Sequence, residues 1–335
     1  FSGYISSDIA PVVFGIVYLG LTAAVVIAGV NKGIERFSKV LMPILFFLII
    51  GISIFCLTLD YTDASGTTRT GLEGLKIYVI PDFSDITFNK IFTVFIDALG
   101  QLFYSISVAM GIMVAYGSYV KKDVNLMNSI NQIEIFDTLV AFFAGLMIIP
   151  AVFVFMGRDG MSAGAGLMFI SLPKVFYAMG PVGNVIGFAF FLMVTFAALT
   201  SSVSIMEAIV SSMMDKFHLS RRKSAVIVTI YVLIMGIIVC MGYNKLYFEF
   251  KLPNGTKAQI LDVMDYLSNN CLMPLVAVLT CILIGWVVKP KTIIDEVTEG
   301  GFKFRRKTLY IIMVKFIAPD PTIPSEIGFY PHKNN

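Results

Sequence analysis

The chain has 335 residues, 57% of them hydrophobic and only 14% charged, with 25 Lys and Arg against 22 Asp and Glu for a net charge of +3. Soluble domains run near a quarter charged, so this composition excludes an ordinary soluble protein, and so small and scattered an excess of cations excludes a nucleic-acid surface, which needs a concentrated basic patch. Cys56, Cys240, Cys271 and Cys281 lie in apolar stretches without metal-ligand spacing, and His218 and His332 belong to no His–carboxylate motif, which leaves little material for a disulfide scaffold, a zinc site or metallohydrolase chemistry.

About 20 apolar residues rising 1.5 Å each cross a ~30 Å hydrocarbon layer. Charge-free intervals of that order occur seven times, at 10–30, 40–59, 98–120, 138–157, 175–206, 224–244 and 266–288. They predict an all-α membrane protein with about seven full transmembrane helices, some kinked at Pro43, Pro150 and Pro274. Unbroken runs contradict the alternating ten-residue segments of a β-barrel. Lys32, Arg36 and Lys39 follow the first span, Lys121 and Lys122 the third, Lys216, Arg221, Arg222 and Lys223 the fifth, and Lys289 and Lys291 the seventh. All fall on one side, which the positive-inside rule makes cytoplasmic. Residues 61–89 and 158–174 are then external loops, residue 1 lies outside, and the protein is expected to be a multi-pass protein of the cell membrane.

The ends read as incomplete. Residues 1–9 resemble the middle of an external loop, and the apolar stretch 308–318 is too short to span before Pro319, Pro321 and Pro324 stop it. An amphipathic surface helix and a truncated or frame-shifted span are both open readings of it. The expected division is an incomplete membrane domain over 1–318 and an atypical polar tail over 319–335.

Ionisable groups inside spans point to function, because each is costly unless paired or wet. Asp97, Asp137, Glu207, Asp215 and Asp265 lie near span ends, where an acid can also simply face water. Ser105 and Ser107 occur in the stretch GQLFYSISVAMG, flanked by Gly100 and Gly111, where a membrane helix can open. An opened helix offers carbonyls and amides to ions and to the charged ends of a solute. A second cluster, AALTSS from Ala197 to Ser202, sets adjacent hydroxyls within a span. Hydroxyls with free carbonyls make a hard oxygen shell suited to sodium; hydroxyls bonding back onto their own helix are the other reading.

These two segments resemble the sixth and eighth transmembrane helices of the neurotransmitter:sodium symporter family, and the chain is similar to its bacterial amino-acid transporters. The likeness begins at Lys32-Gly33-Ile34-Glu35-Arg36 and Pro43, and passes through Gly71-Leu72-Glu73-Gly74-Leu75 and Pro81-Asp82-Phe83. It continues with Ala144-Gly145-Leu146, Pro150, Leu172-Pro173 and Ser220-Arg221-Arg222-Lys223, covering roughly residues 1–318.

The resemblance implies an inverted-repeat fold of five plus five helices, of which this chain resembles helices four to ten and the start of eleven. Spans then fall near 10–30, 40–59, 92–120, 138–157, 181–214, 224–244 and 263–288, with a partial span at 308–318. It implies that Ala197, Thr200 and Ser201 bind one sodium ion and that Ser105 and Asp137 bind another, Asp137 supplying a fixed negative charge where chloride-dependent relatives use an anion. It places Tyr104, Ser107, Met110 and Ile205 in the substrate pocket, with gap-filling packing the other reading of Met110. Asp265 matches the outer-gate acid, Asp215 the inner-gate acid with Tyr119 beside it, and Gly33 with Pro43 the motif at which the fifth helix unwinds to release sodium. The implied function is sodium-coupled symport of a neutral amino acid by alternating access. That is not an enzyme: sodium is the coupling ion, no resident cofactor is needed, and the partners are the amino acid and the lipid bilayer. The sequence assigns neither the particular amino acid nor an oligomeric state. A non-transporting membrane subunit is the alternative; an intramembrane aspartyl protease using Asp97 and Asp137 is disfavoured because these acids fall near opposite faces of the membrane.

Overall fold

The computed structural model describes residues 2–5, 7–62, 66–81, 87, 91, 94, 98, 101–102, 104–121, 123–158, 166–251, 257–299 and 301–319. Asp97, the sequon at Asn254 and residues 320–335 of the polar tail fall outside that set. Among the described residues the chain is almost wholly helical, and six helices are long and apolar enough to cross a membrane. The helices are α1 (Ser2–Ile5), α2 (Ala10–Ala28), α3 (Val30–Leu57), α4 (Gly71–Val79), α5 (Ile112–Gly117), α6 (Leu126–Met156) and α7 (Gly166–Ala178). They continue as α8 (Pro181–Phe217), α9 (Arg221–Met241), α10 (Ile260–Asp265), α11 (Met273–Ile282), α12 (Pro290–Thr298) and α13 (Lys307–Ile312). Wider π-helical segments, Tyr266–Leu272, Leu283–Val287 and Met313–Ile317, follow α10, α11 and α13.

Among the described residues two antiparallel strand pairs interrupt the helices. β1 (Asp60–Thr62) pairs with β2 (Thr68–Thr70) in the register Asp60↔Thr70, Tyr61↔Arg69 and Thr62↔Thr68. β3 (Phe250–Lys251) pairs with β4 (Lys257–Ala258). Neither is visible to a count of charge-free intervals, because such short segments have no apolar run of their own.

The chain divides into two compact units. The first comprises Phe1–Tyr4, Ala24–Asp85 and Ile135–Val203. Its core brings together Ile49, Ile52 and Cys56 of α3, Met147, Ala151 and Val154 of α6, Leu172, Val175 and Phe176 of α7, and Phe190 of α8. The small residues of the GLEGL motif explain how α4 joins this core. A Cβ on Gly71 would stand 2.1 Å from the Cys56 carbonyl oxygen, and one on Gly74 would stand 2.6 Å from the Pro150 Cα, so only glycine lets α4 lie against the end of α3 and the proline of α6. Thr70 starts α4 with a capping box: the Glu73 amide donates to Thr70 Oγ1 at 3.3 Å and the Thr70 amide to Glu73 Oε2 at 3.1 Å, satisfying two amides that the first turn leaves open. Tyr78 then lies over Gly145 and donates to the Phe142 carbonyl at 3.2 Å.

α7 occupies most of the segment that charge and hydropathy assign to an external loop. Its 13 residues are too few to span, yet Leu172, Val175 and Phe176 are buried. Phe176 is seated over Gly183 and Gly187 of α8.

The second unit comprises Ile5–Ala23, Ile86–Glu134 and Ser204–Asn335. Among its described ties, Asn244 Nδ2 donates to the Ser7 carbonyl at 3.2 Å and Lys245 approaches Asp8 at 3.5 Å. Arg306 pairs with Glu134 at 3.1 Å. α6 begins at Leu126, well before the first charge-free residue at 138, because the helical backbone continues through Glu134 and Asp137. Likewise α8 runs for 37 residues, about 55 Å at 1.5 Å per residue, and so outreaches a hydrocarbon layer.

Candidate functional site

The interval 98–120 is where the helix is interrupted. Residues 104 and 105 are helical, 106–111 are not, and α5 begins at Ile112. The Ile106 amide bonds to the Leu102 carbonyl at 3.1 Å and the Ser107 amide to the Tyr104 carbonyl at 3.1 Å; regular pairing resumes where Ala115 bonds to Gly111 at 3.0 Å. Three residues in the break have left-handed backbone, Ser107 at φ 55, Ala109 at φ 65 and Gly111 at φ 78. Such angles are cheap for glycine but strained for Ser and Ala. The glycine-flanked opening expected from the sequence is therefore present, and it directs main-chain amides and carbonyls out of the ladder in the interval that carries Ser105 and Ser107.

Tyr104 is exposed, Met110 packs beside Ile112, Ala115 and Ala208, and Ile205 on α8 is 46% exposed. Met110 thus does the packing expected of an adaptable side chain, and it does so next to the break.

In the first unit, Ala197, Thr200 and Ser201 follow one another on α8 at the spacing i, i+3, i+4, which places them on one helix face. Thr200 Oγ1 donates to the Ala197 carbonyl at 2.8 Å, so the back-bond that is the common fate of an intramembrane threonine is present. A hydroxyl that donates its proton keeps oxygen lone pairs for a cation. Asp137 lies on α6 in the same unit and is half-buried. Pro43 and Gly33 lie within α3, which is helical throughout Val30–Leu57.

The second unit holds a polar chain that the sequence left mostly unread. The Tyr116 hydroxyl meets Ser204 Oγ at 2.5 Å, and the Tyr119 hydroxyl donates to Glu207 Oε1 at 3.0 Å. Glu207 also forms an ion pair with Arg221 at the start of α9. Glu207 is 1% exposed, and the Arg221 side chain 30%. The carboxylate that Tyr119 reaches is thus that of Glu207, eight residues before Asp215 on α8. Asp215 itself is exposed. The available signal was an acid inside an apolar helix followed fourteen residues later by an arginine at the next helix start. A burial pattern, which spacing does not give, separates it from a water-facing terminal acid.

Asp265 ends α10. Its Oδ1 accepts from Asn269 Nδ2 at 2.7 Å, and the Ser268 hydroxyl stands 3.2 Å from the Asp265 carbonyl oxygen and 3.1 Å from Asn269 Oδ1. Neither Ser268 nor Asn269 stood out in the sequence.

Long apolar helices, one broken inside a would-be span with a hydroxyl-bearing stretch and unladdered backbone, define a multi-pass helical membrane protein with a polar break in mid-helix. The comparisons with known proteins make this specific. Residues 10–324 match the model of the sodium:neurotransmitter symporter family. The chain is 32% identical over 322 residues to the uncharacterized sodium-dependent transporter YhdH of Bacillus subtilis, covering 95% of this chain and 66% of that protein. It is 31% identical over 291 residues to the uncharacterized sodium-dependent transporter MJ1319 of Methanocaldococcus jannaschii, covering 84% of this chain and 54% of that one. Among solved structures, the crystal structure of MhsT in complex with L-phenylalanine superposes with a TM-score of 0.83 at 32% identity, over 98% of this chain and 69% of the other. The chain belongs to the sodium:neurotransmitter symporter family and shares the fold of MhsT. It spans 54 to 66% of the length of the two transporters named above.

Proposed function

We propose that the protein carrying this chain couples the uptake of a neutral amino acid to sodium by alternating access. The observation that carries this reading is the interruption at residues 106–111, where left-handed Ser107 and Ala109 leave main-chain polar groups outside the helical ladder. Family membership supports sodium as the coupling ion. Ala197, Thr200 and Ser201 are assigned to one sodium ion through a carbonyl and two hydroxyls. The family likeness assigns Ser105 and Asp137 to a second.

The substrate contacts are Tyr104, Ser107, Met110 and Ile205. The bound L-phenylalanine of MhsT, together with the adaptable Met110 and the apolar Ile205, supports an amino acid with an apolar side chain. Asp265 and Asp215 serve as outer and inner gate acids, Tyr119 belongs to the inner gate through Glu207, and Gly33 with Pro43 marks where α3 unwinds as sodium leaves. Residue 1 lies outside and the Lys- and Arg-rich loops inside, in keeping with the positive-inside rule. Ligands act here by differential affinity for two conformations, and no bond is made or broken.

The test is uptake of labelled L-phenylalanine into proteoliposomes with and without a sodium gradient. Flux that rises with inward sodium and is competed by neutral amino acids is expected. Equal flux in potassium would overturn the coupling, and absence of flux alongside normal folding would favour a non-transporting subunit.

A further inference from the structure

We propose that Asn269 is the positioning residue for the Asp265 carboxylate, holding Oδ1 so that Oδ2 is presented to a cationic group during outer closure; this rests on the reading of Asp265 as the outer-gate acid. Two acids lie on α10, and their surroundings give them different work. Asp262 is committed to starting the helix, since its Oδ2 accepts the Gln259 amide at 2.9 Å. Asp265 has no ion-pair partner among the described residues, and the side chain that reaches its carboxylate is that of Asn269, at 2.7 Å.

The orientation of the Asn269 amide follows from its neighbour. A serine hydroxyl has one proton, and Ser268 lies within bonding distance of both the Asp265 carbonyl at 3.2 Å and Asn269 Oδ1 at 3.1 Å. When that proton goes to Oδ1, the amide oxygen is occupied and Nδ2 must face Asp265, the orientation that donates to a carboxylate. The reverse orientation would set the amide Oδ1 against the carboxylate Oδ1, two acceptors with no proton between them. The carboxylate thereby fixes the Asn269 amide, Ser268 stands within reach of the amide oxygen, and Asn269 holds Asp265 Oδ1.

The backbone supplies the second argument. The helix widens to a π-helix from Tyr266 to Leu272, the segment that contains Ser268 and Asn269, and π turns inside otherwise regular helices recur at functional positions. This one sits in a stretch apolar enough to cross a membrane, where a carboxylate, a hydroxyl and an amide within one turn are costly unless used together. A bare carboxylate on such a helix would sample several rotamers; one held at a single oxygen meets an incoming cation with less ordering to do.

The experiment uses the transporting protein that carries this chain, with a single engineered cysteine in the external vestibule. The readout is the L-phenylalanine concentration that gives half-maximal protection of that cysteine at fixed sodium. A hydrogen bond to a charged group is worth enough that Asn269→Ala and the volume-matched Asn269→Leu should each raise this concentration about tenfold. Added to Asp265→Asn, either change should add less than about twofold, because the group it positions has lost its charge. A merely structural Asn269 would lower thermal stability and add its full effect in the double variant. Impairment by Asp265→Asn with parent-like Asn269 variants, or full additivity, overturns the positioning role while leaving the gate intact. Parent-like protection in Asp265→Asn overturns the gate reading itself, and the proposal with it.

Discussion

Arg221 and Glu207 offer the most direct measure of what the interior of α8 tolerates. Glu207 is 1% exposed, accepts from Tyr119 and pairs with Arg221, whose own side chain is 30% exposed. The two partners are thus unequal: without Glu207 the guanidinium still touches water, whereas without Arg221 the carboxylate is stranded. Breaking a buried pair from the side that leaves an uncompensated charge costs about 3 to 5 kcal/mol. Arg221→Gln should fall at the lower end of that range, since Tyr119 still donates. Glu207→Gln keeps an acceptor for Tyr119 and leaves a partly hydrated cation, so about 1 to 2 kcal/mol is expected. The double variant should be more stable than Arg221→Gln alone, because the stranded charge has gone. Thermal unfolding in detergent, followed by helical circular dichroism, gives the ranking, with Arg222→Gln on the exposed neighbour as the control that shifts nothing. Equal losses in the two single variants, or additive loss in the double, would refute the inference that Glu207 is the buried member of the pair.

Three further outcomes follow from the site and from the packing of the first unit. Thr200→Ala and Ser201→Ala should each raise the sodium concentration for half-maximal uptake severalfold with little change in stability, since alanine suits a helix; sodium titrations that overlay the parent would remove these residues from the ion site. Gly74→Ala should destabilise the first unit by about 1 to 3 kcal/mol, because its Cβ would stand 2.6 Å from the Pro150 backbone, and an unchanged unfolding midpoint would show that α4 shifts freely. Uptake should be unaffected when gluconate replaces chloride, and Asp137→Asn should abolish it or make it chloride-dependent, because bound cations in a low-dielectric site require a compensating negative charge; an Asn variant that transports normally without chloride would end that assignment.

What could be read from the sequence was what long-range solvent dictates. A hydrocarbon layer demands runs of apolar residues, so α2, α3, α9 and the stretch from α10 to the π-helical end at Val287 declare themselves by length alone. Elements that answer to local packing do not. α7 is buried through three apolar side chains and Ser171, with Phe176 over two glycines of α8, and α4 is positioned by glycines that make room for a carbonyl and a proline. In the sequence α7 is an apolar stretch of 13 residues interrupted by Lys174, and α4 is nine residues carrying Glu73 and Lys76, so neither is long enough to declare a span. The GLEGL motif marks the family likeness, and its physical content is the close approach of α4 to the end of α3 and to Pro150 of α6.

The same division runs through the site. The break at 106–111 was legible because glycines and serines inside an apolar run signal a backbone that need not stay helical, and Ser107 and Ala109 indeed take left-handed angles. The pairing of Tyr119 was not legible, because Glu207 and Asp215 stand eight residues apart on α8 and hydropathy places both toward the same end. What separates them is surroundings: Glu207 has lost its water and is held by a phenol and a guanidinium, while Asp215 remains exposed. Desolvation decides how strongly an acid must be paired. The buried Glu207 therefore carries the more demanding electrostatic role among the acids at this end of α8, and inner-gate behaviour assigned to Asp215 has to be measured in a protein whose Tyr119 is already engaged eight residues away.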